Sequence, residues 1–178
     1  MNVHYKTIVK ISAGFLVLII TYGVIHFYAH PYVEKPLVVY HETRLEGIGM
    51  SLLLIQSTRP QKVTLPQTFN VGQVSVEVGQ RIEQLNKKHL CYCTLKSGDT
   101  VEYSFNSSDS VWFTVALCDE PTWNLKTEEI VVDEPNTITN QATYTADHEM
   151  VICFRFKTEP PMTSKITFKG IIRKNVFN

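Results

Sequence analysis

Four cysteines, Cys91, Cys93, Cys118 and Cys153, have the widest chemical range of any residues in this 178-residue chain. Their even number suits one or two disulfides in an exported domain, whereas in a reducing compartment they would be buried thiols. His89, Cys91 and Cys93 fall at alternate positions, so a strand puts all three on one face, where Cys118 or His148 would be the natural fourth ligand of a zinc ion. Alternate residues on a strand splay apart, however, and compact zinc sites space their ligands by two or more residues. No metal and no other cofactor is therefore expected.

Hydrolytic chemistry needs a Ser, Cys or Thr nucleophile beside a histidine that a carboxylate orients. His41, His89 and His148 are the histidines beyond residue 30, and none lies in a glycine-rich nucleophile turn. Asp147-His148-Glu149 has suitable residue types, but between Ala146 and Met150 it reads as a turn before a strand. The sequence therefore predicts no catalytic site and no enzyme activity. Asp119, Glu120, Glu128, Glu129, Asp133 and Glu134 surround a single Lys126, and Trp123 sits among them. They lack the alternating spacing of a calcium loop. Trp123 with Asp119, Glu120, Glu128 and Glu129 is a candidate partner-binding loop, because a tryptophan in a polar setting is a good anchor. The alternative is a solvated loop whose Trp123 folds back over the domain edge. Asn106-Ser107-Ser108 is an acceptor sequence for a glycan on Asn106.

The elements that must position these residues begin with a long apolar run. Residues 11–29 contain no Asp, Glu, Lys or Arg, and with Ile8 and Val9 they reach the roughly 20 residues that cross a bilayer. The predicted organisation is a short tail over residues 1–10, a transmembrane signal anchor over 8–30 and one domain over 31–178. Tyr22, His26, Phe27, Tyr28 and Tyr32 crowd the far end of the run, as rings do at a headgroup layer. A cleaved signal peptide would want small residues where Phe27-Tyr28-Ala29-His30-Pro31 stands. Lys6 and Lys10 precede the run, so the positive-inside rule predicts a single-pass type II protein with its domain lumenal or extracellular.

Removing the anchor leaves roughly 145 residues, enough for one domain with its own core. Equal numbers of basic and acidic residues, 17 each, and no basic tract give no footprint for nucleic acid. Leu37–Tyr40, Met50–Gln56, Gln73–Val78, Ile130–Val132, Met150–Phe156 and Ile166–Ile172 read as strands. Val101–Phe105 and Val111–Leu117 read as a hairpin around the polar turn Asn106–Ser110. Arg81–Lys88 is weakly helical, with Ile82 and Leu85 three apart. The predicted fold is mainly β, an antiparallel sandwich preceded by one N-terminal transmembrane helix, with a closed barrel as the alternative.

Two stretches resemble the GOLD (Golgi dynamics) domain, a β-sandwich of secretory cargo receptors and some lipid-transfer proteins. In Leu95–Leu117, LKSGDTVEYSFNSSDSVWFTVAL, the resemblance lies in a Gly-Asp start, an aromatic strand, a polar turn and an apolar strand. In Tyr144–Ile172, YTADHEMVICFRFKTEPPMTSKITFKGII, it lies in a Cys beside Phe before a polar turn and a closing strand. The resemblance implies a protein-binding or lipid-associated domain, and it implies that Cys153 pairs with Cys91 or Cys93, leaving Cys118 for the other or unpaired. Membrane-bound receptors of that family carry their helix at the C-terminus, whereas here the apolar run comes first. The expected function is an accessory or receptor-like subunit that binds another protein at a membrane. A module for lipid or a small hydrophobic ligand and a structural subunit of a larger membrane complex are the alternatives.

Overall fold

The computed structural model describes residues 15–25, 32–47, 56–121, 123 and 129–175. Residues 15–25 are helical, with apolar side chains such as Phe15, Leu18 and Ile25 exposed. Among the described residues no helix is long and apolar enough to cross a membrane. The spanning helix expected over 8–30 is thus not shown, and the rest of that stretch lies outside the described residues.

Ten strands follow: β1 (Tyr32–Pro36), β2 (Val38–Gly47), β3 (Gln56–Ser57), β4 (Gln61–Thr64), β5 (Gln67–Val78), β6 (Arg81–Leu95), β7 (Thr100–Cys118), β8 (Glu129–Thr145), β9 (Met150–Lys157) and β10 (Thr163–Asn175). Every pairing is antiparallel, as the short connections between consecutive strands favour. The pairings β7–β10–β5–β6–β9 return to β7, so five strands close into a barrel. Outside it, β1 lies on β10, β8 on β7, and β2 on β6, with β3 and β4 paired to β2. The mainly β expectation holds, and the closed ring takes the place of two open packed sheets.

Closure is achieved by strands that change neighbours. β6 pairs with β5 over 81–87 and with β9 over 89–95, while β2 occupies its other edge. β7 pairs with β10 over 100–107 and with β9 over 112–118, with β8 along its other edge. Two sequence expectations fail at these exchanges. Arg81–Lys88 is strand, because Leu85 is needed in the core while Ile82 is left exposed. Asn106–Ser110 is no hairpin turn but a bulge inside one bent 19-residue strand, where the register against β8 shifts between Asn106 and Val111. Ser164 pins the bulge: its hydroxyl accepts from Asp109 N–H and donates to Asp109 C=O, each at 3.1 Å. The polar turn counted toward the GOLD resemblance is this bulge. The expected strand Met50–Gln56 lies outside the described residues except for Gln56, the start of β3.

Strand alternation sends Val101, Tyr103, Phe105, Val111, Phe113 and Val115 of β7, and Ile152, Phe154 and Phe156 of β9, into one core with Ile166 and Phe168 of β10. Phe156 is its hub, with ring centroids 5.0–5.3 Å from those of Phe69, Phe105, Phe113 and Phe168. At the corner where β5 passes from β10 to β6, Gly72 pairs with both Thr163 and Lys87. Its φ is 105°, and a Cβ there would lie 2.1 Å from the Met162 carbonyl oxygen, so no side chain fits.

Phe156→Ala is expected to cost about 3–5 kcal/mol in urea denaturation, since it empties the hub of a rigid core. Gly72→Ala is expected to cost more than about 1 kcal/mol, through backbone strain alone. A change within error at either position would show that the core or the corner is not built as described.

Candidate functional site

The alternation that buries Phe154 and Phe156 turns Arg155 and Lys157 to the outside of the barrel wall. The register sets Arg155 between Leu90 of β6 and Thr114 of β7, Lys157 opposite Trp112, and Arg44 of β2 opposite Lys88 of β6. Arg44, Lys88, Arg155 and Lys157 thereby converge on a cavity of about 90 Å³, with Glu46, Thr114, Trp123 and Phe156 completing its lining. Among the described residues of that lining there are four cations and one carboxylate.

Two tryptophans frame the cations. The Lys157 ammonium lies 3.5 Å from the centre of the Trp112 ring, and the Arg44 guanidinium carbon 5.5 Å from that of Trp123. Carboxylates hold both indoles: Trp112 Nε1 donates to Asp133, and Trp123 Nε1 donates to Glu42 Oε1 at 2.8 Å. Glu46 pairs with Lys88 and stands 3.0 Å from Arg44 Nε. Arg155 is 7 % exposed. Burial first, and then the nearby Lys88 charge, hold the Lys157 ammonium below its usual value. The arrangement suits an entering anion, because guanidinium and ammonium donors form charge-assisted bonds to carboxylate, sulfate or phosphate oxygens.

Of the described loop residues singled out by sequence, Trp123 alone lines this site. It is half-buried and folds back, beside Tyr92 and Cys118, over the cluster of Leu90, Val151 and Cys153. Asp119 and Glu120 are exposed just past the end of β7, Glu129 is exposed at the start of β8, and Glu128 lies outside the described residues. Asn106 is exposed in the bulge of β7. The Asp147-His148-Glu149 triplet forms the bend between β8 and β9, with His148 Nδ1 2.6 Å from Asp147 Oδ1 and both side chains well exposed. That side-chain contact lowers the Asp147 carboxyl below its usual value.

His89, Cys91 and Cys93 share the inner face of β6, as their spacing requires, and all three are buried. Among the described residues no three His, Cys, Asp or Glu side chains are placed to hold a metal. His89 is bound instead to His41, Nδ1 to Nε2 at 2.6 Å, and to the Asn70 carbonyl oxygen at 2.8 Å, with the Phe69 ring tilted against it at a centroid distance of 4.4 Å. The Asn70 bond places the His89 proton on Nε2, so His41 Nε2 donates to His89 Nδ1 and both rings are neutral. Cys91 and Cys93 are inert thiols: burial raises both, Cys93 to about 12. Cys153 points to the opposite face from Cys91 and Cys93, and its sulfur lies 3.1 Å from that of Cys118.

Arg44, Lys88, Arg155, Lys157 and Trp112 were not singled out by sequence. One local signal was present, since Phe154-Arg155-Phe156-Lys157 is strict alternation with two cations on one face of a buried strand.

No protein-family profile matches the chain. No curated protein matches it either. Among solved structures it is similar to the K2 cleaved adhesin domain of Lys-gingipain, at 10% identity and a TM-score of 0.36, over 61% of this chain and 88% of that one. A likeness this slight carries no argument.

The histidine pair makes stability depend on pH. Burial, opposed by the Asn70 bond and reinforced by His41 and Lys87, lowers His89 from 6.5 to about 3, and His41 is lowered by burial and then by Lys87. The unfolded chain takes up these protons first, so stability is full above pH 6.5 and falls as pH drops from there toward 3. His89→Gln is expected to reduce the slope of denaturation midpoint against pH between about 6.5 and 5, above the ordinary carboxylate range. An unchanged slope would assign the acid sensitivity to other groups.

Proposed function

We propose that this chain is a binding protein, an accessory or receptor-like subunit that captures a protein partner through an acidic group seated in the Arg44–Lys88–Arg155–Lys157 pocket. The carrying observation is that, among the described residues, four cations and one carboxylate line a cavity walled on one side by Trp123, with Trp112 backing Lys157. A cavity of about 90 Å³ accepts one carboxylate-sized group, as an inserted Asp or Glu side chain would provide. Trp123 supplies the aromatic contact that interface anchors commonly make. Six phenylalanines occupy the barrel interior, which favours a ligand outside the wall over a lipid held within it. The apolar stretch over 8–30 acts as the tether, with the domain on the lumenal or extracellular side.

Trp112 and Trp123 are the only tryptophans in the chain, so their fluorescence reports on this site directly. Titration of the full-length protein with an oligoglutamate peptide is expected to give saturable, salt-sensitive quenching. The double variant Arg44→Glu/Lys157→Glu should bind at least about tenfold more weakly, a loss of roughly 1.4 kcal/mol. Equal affinity of the variant, or equal binding of an oligolysine peptide, would overturn the reading.

The proposed topology has its own measurement. Expressed in secretory cells, the full chain is expected to show glycosidase-sensitive mobility that Asn106→Gln abolishes. A chain of unchanged mobility whose domain is digested by protease added to the cytosolic side would reverse the orientation.

A further inference from the structure

We propose that Cys118 and Cys153 form a disulfide that pins the base of the anion site by securing Trp123. The two sulfurs lie 3.1 Å apart on the adjacent strands β7 and β9. A disulfide needs about 2.05 Å, so closing the gap takes roughly 1 Å of movement. The register explains the approach: Ala116 stands opposite Cys153 and Cys118 opposite Val151, which makes the cysteines diagonal neighbours on the outer face. Cys91 and Cys93 belong to the core on the other side of the wall and meet neither sulfur.

The exchange that forms the bond needs an external disulfide as oxidant. Half-buried Cys118 is the entry point, while Cys153 is fully buried. The Cys118 thiolate, having lost its proton to solvent, attacks one sulfur of the external disulfide and releases a first thiolate. The Cys153 thiolate then attacks the mixed disulfide at Cys118 and releases the second. One S–S bond breaks and one forms; the two cysteines are oxidised and the external disulfide is reduced to two thiols.

The consequence falls on Trp123, five residues after Cys118, which packs, as Cys118 does, on the cluster of Leu90, Val151 and Cys153 while its indole faces Arg44. Joining β7 to β9 at this point fixes the floor beneath that ring. This regulatory role rests on the anion-binding reading above; the bond itself does not.

The full-length protein is treated with oxidised glutathione, alkylated, digested without reductant and analysed by mass spectrometry. The expected product is a peptide joining Cys118 to Cys153, absent in Cys118→Ser, with Cys91 and Cys93 alkylated only after denaturation. Both outer cysteines alkylated after oxidation, or either one linked to Cys91 or Cys93, would overturn the bond. For the role, the linked and reduced forms are each titrated with oligoglutamate peptide, and the reduced form is expected to bind several-fold more weakly. Equal affinities with the link present overturn the pinning role. Failure of both forms to bind overturns the anion reading and leaves the linked peptide to decide the bond.

Discussion

Every backbone donor and acceptor in a closed wall must find a partner, and this barrel satisfies them by having its two longest ring strands exchange neighbours partway along. β6 passes from β5 to β9, and β7 passes from β10 to β9. Much else follows from those exchanges. β7 bends and carries an irregular stretch held by Ser164, β5 turns its corner at a residue with no side chain, and the phenylalanines from four strands reach a common centre.

The same exchanges leave β9 flanked by β6 and β7 along almost its whole length, which brings outward Arg155 and Lys157 close to the cations of the neighbouring wall. Crowding like charges there has a cost. At 4 Å two unit charges interact by about 4 kcal/mol at a surface-like dielectric of 20, against about 1 kcal/mol in bulk water. Glu46 offsets part of that repulsion, and the tryptophan faces offset more. Glu42 and Asp133 orient the indoles, and the Asp133 charge also favours the Lys157 ammonium. The phenylalanine core beneath supplies the stability against which such crowding can be maintained.

Much of the fold was legible from period-two patterning. The inward faces of β9 and β10 follow from Met150, Ile152, Phe154 and Phe156 and from Ile166 and Phe168. The inward residues of β7 are all at odd positions from Val101 to Val115, as one continuous strand requires, whereas the turn-forming residues between them pointed to a hairpin. β6 was hidden because Asn86, Lys87 and Lys88 interrupt its apolar pattern, and those residues serve its second edge and outer face, which no local window reveals. The candidate site was less legible. Its cations come from residues 44, 88, 155 and 157, and only register brings Arg44 and Lys88 beside the β9 pair. Trp123 was visible by type, but its inward packing depends on an apolar floor assembled from three strands.

β8 closes the order of strands and is hydrogen-bonded to β7 along one side. From Asn136 to Thr145 it carries no charge, and most of its residues are exposed. Such a strip is a template on which further copies of a chain can accrete into fibres. Pro135 offers no N–H, and Asn136 adopts a φ of 61°, so β8 is interrupted near its middle, where the uncharged strip begins. An incoming strand meets only a short run of regular ladder before its register is lost, and a thread that cannot be extended does not propagate.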